Sequence, residues 1–111
     1  MYVRFFEGVV RGLNPSLVYE KKVDSLGALR RELQVLDGDA GARVRGSYGG
    51  RRCFAFVTRF GETFTVVVCA AKGQGGRTPG RMLESKEFTD IETTMRFLTP
   101  IATTPFNAFV Y

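Results

Sequence analysis

Five arginines, Arg43, Arg45, Arg51, Arg52 and Arg59, fall within residues 43–59, and no aspartate or glutamate interrupts them. Guanidinium groups are permanently charged forks that match phosphate geometry. A run of them without acids points to an anionic partner more specifically than total charge does. Interleaved with these arginines are Phe54, Phe56 and Phe60, rings of the kind that stack on bases. This is the chemistry of binding rather than of bond-making. The chain contains no histidine, which removes the commonest general base and the commonest metal ligand. Cys53 and Cys69 alone do not complete a zinc site. Asp37, Asp39, Glu84, Glu87, Asp90 and Glu92 are scattered at caps and loops, where carboxylates serve helix dipoles and free N–H groups. No catalytic residue, metal or cofactor is expected.

A second basic feature is the glycine-rich stretch KGQGGRTPGR, residues 72–81. Its backbone N–H groups, with Lys72, Arg77 and Arg81, suit a phosphate backbone. It lacks the Gly-Lys-Ser/Thr ending of a nucleotide-hydrolysing loop. A solvated loop is an equal reading.

The 111 residues suit one domain, with 44% hydrophobic and 13% aromatic residues supplying a core. The net charge is +5 and the pI near 9.6. Arginine outnumbers lysine twelve to four, which a GC-rich genome or a hot habitat explains as well as function does. No signal-like opening and no apolar run of bilayer length is present. An intracellular, cytoplasmic protein is expected, of archaeal or viral type.

The elements that must position these residues follow from periodicity. Residues 2–10 and 17–23 read as β-strands around the breaker Asn14-Pro15-Ser16. Asp24 or Ser25 caps a helix over about 26–36, where Leu26, Leu29, Leu33 and Leu36 share a face. Strands are expected at 42–48, 51–60 and 63–72, joined by Gly49-Gly50 and Gly61-Glu62, with a short edge strand at 82–88. Thr89 with Glu92 forms a capping-box pattern before a helix of 90–98. Residues 100–111 should form either a last strand or an arm on another subunit. The predicted fold is α+β, an antiparallel sheet of four or more strands with two helices on one face.

Two-residue turns fix register, and register fixes faces. Tyr48 should pair with Arg51, Arg45 with Phe54, and Arg43 with Phe56. Across the next turn Phe60 should pair with Thr63, Phe56 with Val67, and Phe54 with Cys69. One face then carries Val44, Tyr48, Cys53, Ala55, Val57, Phe64, Val66, Val68 and Ala70, as a helix-covered face should. The other carries Arg43, Arg45, Ser47, Arg52, Phe54, Phe56, Thr58, Phe60, Thr63, Thr65 and Val67. Three arginines are costly to bury, and three phenylalanines in alternate positions are unusual on a solvated face. An open binding face follows, with Cys53 and Cys69 on opposite sides as free thiols.

Residues 52–59, RCFAFVTR, resemble the RNP1 strand of RNA-recognition-motif domains at six of eight positions. Cys53 stands where that motif has glycine and Arg59 where it has an aromatic. The resemblance implies that Arg52, Phe54 and Phe56 face RNA. MYV at the start faintly echoes the same family's RNP2 strand. The order helix, three antiparallel strands, helix is similar in outline to small archaeal single-stranded-DNA-binding proteins without an OB fold. The expected function is non-enzymatic binding of single-stranded DNA or RNA, through Arg43, Arg45, Arg52, Phe54, Phe56, Thr58, Phe60, Lys72, Arg77 and Arg81. The competing reading is a structural or interaction protein, of viral type, whose phenylalanine face and tail form an oligomer interface. A homo-oligomer, dimer or higher, fits both, and a membrane partner fits neither.

Overall fold

The computed structural model describes residues 21–36, 40–73, 75 and 78–110. The strand expected at 2–10, most of that at 17–23, and Arg77 lie outside them.

Strands β2 (Gly41–Tyr48), β3 (Arg51–Phe60), β4 (Thr63–Lys72) and β5 (Thr78–Phe88) form an antiparallel meander. Its first turn needs two left-handed residues, which Gly49 (φ 59°) and Gly50 (φ 80°) supply. The expected register is present pair for pair: Tyr48 faces Arg51, Arg45 faces Phe54, Phe56 faces Val67 and Phe60 faces Thr63. Strand β5 is longer than the edge strand expected, because β4 and β5 continue pairing through two register shifts to Lys72 and Thr78. The glycine-rich loop is correspondingly shorter. Lys72 and Arg81 lie on strands rather than in it.

Helix α1 (Leu26–Gln34) precedes the meander and α2 (Ile91–Leu98) follows it. Ser25 caps α1, its hydroxyl accepting from Ala28 N at 3.1 Å. The α2 cap is one residue later than the sequence pattern suggested. Asp90, not Thr89, accepts from Thr93 N at 2.7 Å, since a carboxylate with two acceptor oxygens also takes the Thr93 hydroxyl. These bonds hold the Asp90 carboxyl below its ordinary pKa. Strand β6 (Ala102–Val110) then inserts between β2 and the short β1 (Lys21–Val23), giving the order β1-β6-β2-β3-β4-β5. The tail is thus a strand of its own sheet.

Both helices pack on one face. Leu29, Leu33 and Leu98 are fully buried against Val44, Cys53, Ala55, Val57, Val66 and Val68. An Arg30–Glu92 ion pair joins the helices. The crossing from α2 to β6 brings the Ile101 carbonyl against Gly46, where it accepts from Ser47 N at 2.9 Å. Any side chain at residue 46 would collide with that carbonyl.

Candidate nucleic-acid interface

Strand alternation brings Arg43, Arg45 and Arg52 to the sheet face opposite the helices, as register required. Arg52 is exposed, and Arg43 and Arg45 are half-buried. Along β3 the positions of Arg52, of Phe54 beside Arg45, and of Phe56 beside Arg43 succeed one another at two-residue steps, roughly 7 Å each. The arginines therefore form a diagonal line over β2 and β3. The outer-face positions of β2, β3 and β4 hold no carboxylate, while β5 places Glu87 opposite Thr65.

The phenylalanines do not form the open platform expected. Phe54 is 5% exposed and Phe56 0%, and with Val67 and Cys69 they make a second buried cluster. In the pairing Phe54 faces Cys69 and Phe56 faces Val67, so four apolar side chains are contiguous. A patch of that kind gains from leaving water. The two rings lie 6.0 Å apart, tilted by 34°, and the Arg45 guanidinium sits 5.8 Å from the Phe54 centroid, within cation–π range. Neither ring offers a free face to a base or to a second subunit. Thr58 is also buried, at 6% exposure, which removes it from the contact surface. Phe60, 64% exposed beside the Gly61 turn, is the ring of the row that remains accessible.

The structure brings together two features that are thirty residues apart in the chain. Arg45 Nη2 donates to the Gly75 carbonyl at 2.6 Å, so Gly75 lies against the arginine line. Nothing in the local sequence marked that contact. Lys72 and Arg81 are exposed near the ends of this loop.

Arg59 has a different task. It lies on the helix side, where Nη1 donates to Gln34 O at 2.6 Å and Nε to Gly61 O at 2.8 Å, with the guanidinium 5.0 Å from the Phe64 ring. It thus satisfies a terminal carbonyl of α1, one of the acceptors a helix end leaves open. Beside it a cleft of about 350 Å³ is lined by Glu62, Phe64, Thr89, Asp90 and Ile91. Its acids and single committed arginine make a poor anion site.

Cys53 and Cys69 are free and buried on opposite faces. Burial pushes both thiols up to about 11, so they are poor nucleophiles at neutral pH. Among the described residues no group of three or more Cys, Asp or Glu stands together as a metal site. No helix among them is long and apolar enough to cross a membrane. No protein-family model, curated protein or solved structure matches the chain.

Proposed function

We propose that this protein binds single-stranded nucleic acid, without catalysis, along the arginine line of β2 and β3. The observation that carries the reading is the placement of Arg43, Arg45 and Arg52 on one sheet face whose neighbouring strand positions lack carboxylates. Phosphate contact supplies affinity that depends on charge and not on sequence. The half-buried Ser47, Thr63 and Thr65 on the same face add neutral donors. Stacking is confined to Phe60, because Phe54 and Phe56 are buried, with Phe54 against the Arg45 guanidinium.

Single strands suit this surface better than duplex. Both described helices pack against the opposite face, so neither stands free to enter a major groove. The Gly75 carbonyl on Arg45 supports a role for the glycine-rich stretch beside a bound backbone. DNA and RNA are both accommodated by charge and one ring.

The test is fluorescence anisotropy with a labelled single-stranded DNA, a single-stranded RNA and a duplex of equal length. Single strands should bind more tightly than duplex, and Arg52→Gln should weaken them without lowering the melting temperature. Equal affinity of Arg52→Gln and parent for every ligand would remove this reading.

A further inference from the structure

We infer that the free edge of β5 is a self-pairing surface, through which two copies of the chain join antiparallel about Ser85. The sheet order leaves β5 outermost on the β4 side, and among the described residues no strand pairs with its outer edge. Strand β5 runs for eleven residues, and its two register shifts are confined to the half nearer Thr78. The half from Glu84 to Phe88 pairs regularly with β4. It therefore continues the ladder without a bulge, which suits it to take another strand.

The hydrogen-bonding phase of that edge follows from the turns. A two-residue turn makes Phe60 and Thr63 a hydrogen-bonded pair, so Thr65 and Val67 also direct their backbone groups toward β3. Phe64, Val66 and Val68 then direct theirs toward β5, bonding Phe88, Lys86 and Glu84. Ser85 and Glu87 are left with N–H and carbonyl groups pointing outward. The Ser85 N–H agrees, for it donates to the Glu84 carboxylate at 3.2 Å. A second strand would replace this makeshift acceptor with a backbone carbonyl.

Charge selects both the partner and the register. In an antiparallel pair of identical strands, centring on Ser85 sets Glu84 opposite Lys86 of the second copy, and Lys86 opposite Glu84. Both are non-hydrogen-bonded pairs, in which side chains stand closest. Moving the centre by one residue sets Glu84 against Glu84, or Lys86 against Lys86. At Glu84 and Lys86 the Ser85-centred register is attractive twice over and its two neighbours are repulsive; the Arg81–Glu87 pairs that a Glu84-centred register would form need a residue from the register-shifted half. Lys86 is exposed and Glu84 half-buried, so both are placed to meet a partner. An unrelated strand carries no such self-complementarity, which is why a second copy is the occupant. The pairing joins two sheets edge to edge and leaves both arginine lines on the same side.

Sedimentation velocity of the full chain across a wide concentration series tests this. The parent should show a concentration-dependent monomer–dimer equilibrium. Lys86→Glu, an exposed change, should weaken self-association by roughly ten-fold while the melting curve holds, since two attractive pairs become repulsive. Glu84→Lys combined with Lys86→Glu restores opposite charges and should restore the dimer. Glu84 also accepts from the Tyr48 hydroxyl at 3.3 Å, so the double variant is compared after its folding is checked by melting. Ser85→Pro gives an independent arm: it removes only an outward N–H, which edge strands tolerate, and should leave monomers. A parent that stays monomeric throughout, a Lys86→Glu protein that dimerises as the parent does, or a folded double variant that remains monomeric would each overturn the proposal.

Discussion

Replacing Phe56 with alanine separates a ring that supports the arginine line from a ring that touches ligand. Phe56 is fully buried and packs with Phe54, Val67 and Cys69. Truncation removes a phenyl-sized volume from that cluster and leaves a cavity that the β3 and β4 backbones do not close. Such core changes cost about 3–5 kcal/mol. For a domain of this size, each kcal/mol shifts the melting temperature by roughly 4–8 °C. Phe56→Ala should therefore melt roughly 12–40 °C below the parent. Circular dichroism on three variants makes the comparison. Val66→Ala, on the helix-covered face and also fully buried, should fall by a smaller amount, about 2 kcal/mol. Phe60→Ala, at an exposed position, should melt within about 0.5 kcal/mol of the parent. It should bind single strands about 1–3 kcal/mol more weakly if its ring stacks a base. A Phe56→Ala protein with the parent's melting curve would refute the second buried cluster. An unaltered affinity of Phe60→Ala would deny stacking any part in binding.

Further outcomes follow from the same contacts. Arg59→Ala should cost about 1–2 kcal/mol of stability, from its bonds to Gln34 and Gly61, and leave oligonucleotide affinity unchanged. A loss of affinity in a folded Arg59→Ala protein would assign this residue to the wrong face. Cys53 and Cys69 should resist alkylation at pH 8 until the protein unfolds, since burial raises both thiols from 9.0 to about 11; rapid modification of the native protein would contradict their burial. The sign of the linked stability is fixed as well. Folding favours the protonated thiol, so this contribution is present in full below pH 9 and is lost as pH rises toward 11. A Cys53→Ala, Cys69→Ala protein should show a shallower alkaline fall in urea midpoint than the parent.

The meander was legible because its turns are short. Gly49-Gly50 and Gly61-Glu62 each allow one register, and that register sorts every side chain of β2, β3 and β4 onto its face. The same pairing sets Val67 and Cys69 across from Phe56 and Phe54, yet adjacency on a sheet face does not say whether that face is covered. The register thus identifies the members of the cluster, while their burial depends on packing over the face, which periodicity does not specify. The route of the tail was less legible. Insertion of β6 beside β2 depends on the crossing after α2, and on Gly46 admitting the Ile101 carbonyl. In sequence that glycine is one small residue within a strand. The Arg45–Gly75 contact was hidden for a similar reason, because loop closure over a sheet is set by tertiary packing and not by periodicity.

The central claim rests on charge at three positions, so salt dependence measured on an arginine-depleted protein is its most direct test. If Arg43, Arg45 and Arg52 contact phosphates of one strand, log K for a labelled single-stranded oligonucleotide should fall against log salt with a slope of about −2, or more steeply if Lys72 and Arg81 join them. A protein carrying Arg43→Gln, Arg45→Gln and Arg52→Gln, verified as folded by melting because Arg45 also covers Phe54, should bind far more weakly with a nearly flat slope. Binding by that folded variant with the parent's affinity and the parent's slope would contradict the account.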